Sequence, residues 1–296
     1  MQALIVGCGD VGCRLALQLM ARDITVTGIV RSEASAAALA RLGITARVAD
    51  LDADAIADPP AADWLFHFAP PPEKGETDPR FAQVLDALNQ PPSRLIYLST
   101  SAVYGDCEGR WIDEDEALKP KSARGYRRLD AERRALAYGE RHDIAAMILR
   151  VPGIYGPGRL PLQRLKSGTP LVQRDQSPYT NRIHADDLAS AALRVAEVGE
   201  AGAAYNVSDG QPTTMSDYFF RCAALLGLPA PPEVPLAVAL QTMSPMLKSF
   251  IEESKRLSNR RLVDRLGWRP QYANLEAGLP ACLVDDEVVR AFAGPA

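Results

Sequence analysis

The sequence predicts an α/β fold: a doubly wound parallel sheet with a smaller C-terminal lobe. Three observations lead there. Through about the first 150 of 296 residues, short apolar runs of strand length alternate with stretches of helical periodicity, the signature of βαβ units and a parallel sheet. A glycine-rich hexapeptide, GCGDVG at 7–12, stands between the first apolar run and the first helical stretch. Beyond about residue 158 the alternation breaks into loop-like and helical pieces.

The elements follow in order. QALIV (2–6) is a short apolar run ending at glycine and reads as a buried strand. VGCRLALQLMAR has apolar residues at helical spacing, ITVTGIV (24–30) is a second strand, and SEASAAALARL (32–42) a second helix. ITARV, WLFHFA (64–69), RLIYLS (94–99) and IAAMILR (144–150) continue the strand series, with helical stretches between them, notably 78–89. Residues 159–182 are mostly loop-like. HADDLASAALRVAE then resumes a helix, AAYNVS is a short strand, and 211–296 is a lobe of helices and loops. The division is a first domain of 1–158 plus about 183–210, and a lobe of about 159–182 plus 211–296. Ligands of such sheets bind in the crevice beyond the strands' carboxyl ends, so the cleft between the two parts is the expected site.

Composition narrows the classes. With 47% hydrophobic and 24% charged residues and a net charge of −4, the chain has the make-up of a globular domain and no nucleic-acid footprint. The five cysteines are scattered, no CxxC occurs and no Cys/His cluster has zinc spacing, so no metal is expected. A reduced, cytoplasmic compartment fits that cysteine usage. No apolar stretch approaches the ~20 residues that span a bilayer, so no membrane association is expected.

Within GCGDVG, Gly7 permits the tight turn, Gly9 lets backbone approach a diphosphate, and Gly12 lets helix and strand pack closely. The N–H groups opening the helix, at Asp10 and Val11, then face the phosphates. A carboxylate beside phosphate is repulsive, so Asp10 is expected to point away and cap the helix. The second strand ends Val30-Arg31-Ser32, where NAD binders place an acidic residue. Arg31 can grip a 2′-phosphate, and Ser32 can add a hydroxyl and cap the next helix, which favours NADP over NAD.

Several segments in the right order resemble the short-chain dehydrogenase/reductase superfamily, in its extended branch of epimerases and dehydratases. They are LSTSAVYGD (98–106), LRVPGIYGPG (149–158), RIHADDLASA (182–191), YNVSDG (205–210) and KRLSNRRLVDRLGWRPQY (255–272). The resemblance implies a Rossmann-like first domain and a substrate lobe. It implies that Thr100 polarises the reacting oxygen, that Asp50 and Leu51 border the adenine, and that Ala69 lets backbone approach the coenzyme. The branch usually carries GxxGxxG rather than GxGxxG. That points to its atypical members, which bind NAD(P) through altered motifs and often lack the standard active site.

PKSARGYRRLDAE (120–132) carries the second departure. The extended branch typically reads PxSxYGxxKxxxE, with Tyr as general acid/base and Lys on the nicotinamide ribose. Pro120, Ser122, Gly125 and Glu132 match that frame, which sets Arg124 at the tyrosine position and Arg128 at the lysine position. An arginine does not exchange protons at working pH. Arg128 is left to hydrogen-bond the coenzyme, and Arg124 to bind an anionic substrate group. A second register places Tyr126 as the phenol, with Asp130 four residues on. A carboxylate there raises a phenol's pKa and makes a poor base. Residues 124 and 126 lie about 200° apart around a helix, so only one faces the coenzyme.

Arg182 and His184, in RIHADD, border the substrate cleft by the same resemblance; His184 is equally a candidate helix cap. Arg182, Arg159 and Arg164 suit a phosphate or carboxylate. The expectation is an NADP-binding oxidoreductase or epimerase/dehydratase-like enzyme acting on a polar small molecule, anionic or a sugar nucleotide. A non-catalytic NADP(H)-sensing protein is the alternative. Relatives of this kind often dimerise, which makes a homodimer the candidate assembly.

Overall fold

The computed structural model describes every residue except 54, 55, 57, 243–247, 249, 250 and 294–296, so part of the C-terminal lobe lies outside the described residues. Seven strands form one parallel sheet: β1 (Gln2–Val6), β2 (Thr25–Val30), β3 (Thr45–Val48), β4 (Trp64–His67), β5 (Arg94–Thr100), β6 (Ala145–Val151) and β7 (Ala204–Asn206). Their spatial order is β7-β6-β5-β4-β1-β2-β3. The order reverses between β1 and β4, and a ligand crevice opens at such a switch point.

The strands read as apolar runs because helices cover both faces. On one face Ile5, Phe66, Ile96 and Leu149 pack with Leu15, Leu19, Leu188 and Leu193. On the other, Leu4, Leu65, Leu95 and Ile148 pack with Phe81, Val84, Ala131 and Ala135. Neighbouring residues of one strand thus serve opposite cores. β3 is the sheet edge and is mostly exposed.

The helices include α1 (Asp10–Met20), α2 (Glu33–Arg41), α3 (Pro79–Asp86), α4 (Ala123–His142), the short α5 (Leu162–Lys166), α6 (Ala185–Val198) and α7 (Met215–Leu225), with further short ones after them. Most begin at a side-chain cap. Ser32 opens α2, Asp78 opens α3 with Pro79 in its first turn, Ser122 opens α4, His184 opens α6 and Thr214 opens α7. α1 is different: its N-cap is Gly9 and no side chain caps it.

Short two-stranded ladders complete the region beyond β5 and β6. Gly153–Tyr155 pairs in parallel with Arg182–His184, and Trp111–Ile112 pairs in parallel with Arg256–Leu257. The second ladder holds the 251–257 segment over the exit of β5, a placement that no local pattern announces. Leu257 of that segment packs with Val103, Tyr104, Ile112 and Leu129, and a separate apolar cluster forms from Tyr155, Leu165, Leu171, Tyr218, Phe219, Leu275 and Leu279.

Candidate functional site

Two cavities lie over the carboxyl edge of the sheet. The smaller, about 300 Å³, is walled by Gly7 after β1, Arg31 after β2, Asp50 and Leu51 after β3, and Ala69 and Pro70 after β4. The sequence expected Gly7, Arg31, Asp50, Leu51 and Ala69 to meet around a coenzyme, and the fold brings those five together. Arg80, from the first turn of α3, also reaches this cavity. Its guanidinium pairs with Asp52 and donates to the Pro70 carbonyl at 2.9 Å. The cap-and-proline start of α3 is readable in the sequence; the reach of Arg80 into the pocket is not.

Gly7 has φ +82°, and a Cβ there would stand 2.3 Å from the Ala69 nitrogen. Only glycine serves this turn. The Gly7 and Cys8 N–H groups both donate to the Ile29 carbonyl at 3.0 Å, which fastens the turn to β2. A Cβ on Gly9 would meet nothing within 4 Å, whereas one on Gly12 would press on Gly7 O and Ile5 at 3.3 Å. The glycine turn is therefore tight below and open above. With α1 uncapped, its first N–H groups at Asp10, Val11 and Gly12 have no helical acceptor. An open, uncapped helix start beside a cavity of this composition fits a dinucleotide's diphosphate.

Asp10 departs from its expected role. It does not cap α1; its carboxylate pairs with Arg14 at 2.8 Å and with Arg159. Two cations satisfy the carboxylate better than the helix N–H groups would, and they leave those groups free. Ser32 does cap α2, accepting from the Ser35 N–H at 3.2 Å.

The larger cavity, about 500 Å³, opens beyond β5 and β6. Thr100 stands on its wall at the end of β5, its hydroxyl accepting from the Ala102 N–H at 3.3 Å. Arg124, Arg159, Arg164, Arg182 and Lys255 face this space against one carboxylate, Glu253. Arg164 lies over the Phe219 ring at 4.8 Å and Arg182 over Tyr218 at 4.3 Å. Neither makes an ion pair among the described residues, and the Nε of each is buried without an acceptor. Burial lowers the pKa of Arg124, Arg164 and Arg182 from the ordinary arginine range. Such crowded, poorly solvated guanidiniums gain most from an anion.

The lead-in to α4 has a packing explanation. The Ser122 hydroxyl accepts from the Gly125 N–H at 3.3 Å, and a Cβ on Gly125 would meet the Ala102 carbonyl at 2.8 Å. The helix thus docks tightly beside the turn that follows Thr100, with Arg124 on the cavity wall. Tyr126 falls on the opposite face, 44% exposed, and is absent from that wall. The 200° separation of positions 124 and 126 accounts for this. Arg128 turns inward rather than toward a coenzyme. Its Nη1 donates to the Leu98 carbonyl at 2.6 Å and the Tyr97 hydroxyl at 3.1 Å, and it lies on neither cavity wall. A guanidinium offers enough donors to be consumed by strand and phenol. Glu132 takes Arg150 at 2.9 Å, not Arg128.

His184 is fully buried and caps α6, its Nδ1 accepting from the Asp186 N–H at 3.3 Å; it does not reach the larger cavity. Arg182, two residues earlier on the same short strand, does. Alternation along the strand cannot separate the two, since both are even-numbered positions; the helix start at Ala185 turns His184 away.

Besides Arg80, the sequence did not single out Glu253 and Lys255 on the larger cavity, nor the buried His67. Glu253 and Lys255 come from a segment without periodic pattern, placed by the ladder to Trp111–Ile112 and by hydrogen bonds of Ser254 and Lys255 to Asp106 and Asn181. His67, at the end of β4, is fully buried against Phe81 and Tyr97, and burial pushes its pKa down to about 3. It ends an apolar strand and carries no local signal of its environment.

Comparison with known proteins agrees with this geometry. The family model "NAD dependent epimerase/dehydratase family" matches residues 3–208. The low-salt glycan biosynthesis protein Agl12 of Haloferax volcanii is 28% identical over 218 residues, which cover 68% of this chain and 65% of that protein. A functionally unknown conserved protein from Silicibacter pomeroyi DSS superposes with a TM-score of 0.82 at 31% identity, covering 95% of this chain and 97% of that one. UDP-glucuronic acid 4-epimerase from Bacillus cereus, solved with NAD, shares the fold at a TM-score of 0.76 and 19% identity, covering 100% and 99%. With a doubly wound sheet, a glycine turn at its switch point and a family match over residues 3–208, the chain belongs to the NAD-dependent epimerase/dehydratase family.

Proposed function

We propose that the chain is an NADP-dependent oxidoreductase or epimerase/dehydratase-like enzyme whose substrate is a small anionic molecule, a sugar nucleotide being the leading class. One observation carries this reading: five cationic side chains and one carboxylate face the cavity that also holds Thr100. The smaller cavity would hold the adenosine half of the coenzyme, with Arg31 toward the ribose phosphate and Asp50, Leu51 and Ala69 around the rest. The nicotinamide of a bound coenzyme would supply a carrier for hydride. Thr100 would hydrogen-bond the reacting oxygen, while Arg124, Arg164 and Arg182 orient and neutralise the substrate's anionic group. The Tyr–Lys pair of the wider superfamily is replaced at its two positions by Arg124 and Arg128. The dinucleotide-binding domain would comprise 1–158 and about 183–210, the remainder forming the substrate lobe. UDP-glucuronic acid 4-epimerase, which shares the fold, has been solved with UDP-glucuronic acid and NAD, which supports trying anionic sugar nucleotides first.

The inward turn of Arg128 onto Leu98 and Tyr97 favours a second reading, a non-catalytic sensor of NADP(H). The two separate in one experiment. The coenzyme-loaded chain is offered UDP-glucuronic acid, UDP-glucose and a panel of carbonyl compounds, and NADPH absorbance is followed. Turnover lowered ten- to a hundredfold or so by Thr100→Ala supports the enzyme. Tight coenzyme binding with no turnover, unaltered by Thr100→Ala, supports the sensor.

A further inference from the structure

Resting on the reading of the larger cavity as a reaction site, we propose that Glu253, held by Lys255, is its proton-carrying group. A carrier must touch the cavity and exchange a proton near working pH. Four of the cavity's ionisable side chains are guanidiniums, which stay charged. Tyr218 lies beneath the Arg182 guanidinium, and burial raises its phenol well above the ordinary range. Tyr179 is 39% exposed and stacked under Arg256 at 4.7 Å. Glu253 and Lys255 remain, 8% and 4% exposed.

Their geometry suits the task. Lys255 Nζ donates to Glu253 Oε2 at 2.8 Å and to the Gly105 carbonyl at 2.5 Å. Gly105, at φ +70°, ends the turn that begins right after Thr100, so the lysine is anchored to the same turn as the polarising hydroxyl. Glu253 Oε1 is buried and accepts no hydrogen bond among the described residues. One carboxylate oxygen is fixed and the other is left to take a proton. A buried ion pair with an unsatisfied oxygen is costly to fold around.

In the oxidising direction the substrate O–H bond breaks and an O–H bond forms on Glu253 Oε1. The adjoining C–H bond leaves with its electron pair as hydride to an oxidised nicotinamide dinucleotide. Reduction runs the same bonds backward. Lys255 stabilises the carboxylate before the transfer and carries the pair's net positive charge after it.

The test uses the full chain with NADP bound and UDP-glucuronic acid as probe. The first readout is the NMR resonance of the Glu253 carboxyl carbon, assigned by its loss in Glu253→Gln. It is expected to shift on adding probe and again in Lys255→Met. A resonance indifferent to probe and to Lys255→Met overturns the proposal. The second readout is turnover. Glu253→Gln is expected to lower kcat by about 10²-fold or more, with Glu253→Asp retaining more activity. A Glu253→Gln protein within about threefold of the unaltered chain overturns it. If the unaltered chain turns nothing over, the reaction-site reading fails by itself, and the resonance still decides the role of Glu253.

Discussion

Gly7 and Gly9 are two residues apart and do different work. Gly7 is strained for any other residue, since its φ is +82° and its Cβ would strike the Ala69 backbone. Gly9 meets open space. Gly7→Ala is therefore expected to destabilise the chain by about 1–3 kcal/mol or more, seen as a lower urea midpoint. Gly9→Ala is expected to cost no more than about 1 kcal/mol as a cap change, yet to weaken coenzyme binding tenfold or so, read by titration. A second residue sets a pH dependence. Burial, chiefly, raises Asp209 from 3.8 to about 7, and its Oδ2 is buried without a partner among the described residues. A carboxyl whose pKa is raised on folding adds stability below 3.8 and loses it as pH climbs through about 7. Asp209→Asn, which keeps the neutral shape, is expected to flatten that slope in urea midpoints measured across this range. The glycine turn and Arg31 were legible because their chemistry is local: a turn, a helix start, a strand end. Asp209 was not, because its pKa depends on packing from distant segments.

α4 shows how one element can be half legible. Its cap at Ser122 and its close approach at Gly125 are written in PKSARG. So is the outward Asp130–Arg134 pair at 2.8 Å, with helical spacing. Which way the long side chains turn is decided by neighbours absent from the local sequence. Arg128 finds a carbonyl of β5, Tyr126 finds solvent, and Glu132 finds Arg150 on β6. The last contact ties helix to sheet, for Glu132 is 2% exposed and also accepts from the Ser99 hydroxyl. Arg150→Met is expected to strand that carboxylate and cost about 3–5 kcal/mol, measured by equilibrium denaturation.

Across the whole molecule, Arg14 joins what the sequence keeps far apart. It is 5% exposed and pairs with Asp10 in the glycine helix, Asp186 in the first turn of α6, and Asp286 near the C-terminal end. Asp10 passes the connection on to Arg159 on the wall of the larger cavity. Arg14→Met is expected to cost about 2 kcal/mol or more, the acids being only partly buried, and to weaken coenzyme binding through the loosened start of α1; calorimetry with and without coenzyme reads both. The parallel sheet was legible from the alternation and the glycine turn; its strand order was not. Nor were the pairings that build the lobe, because its short ladders join segments well apart in sequence, more than a hundred positions at Trp111 and Arg256. Everything at this scale rests on the glycine turn seating a dinucleotide. The most direct test is isothermal titration of the full chain with NADP and with NAD. Saturable heat with both is predicted, NADP binding about tenfold tighter and losing that margin in Arg31→Ala. An absence of heat with either dinucleotide would contradict the account.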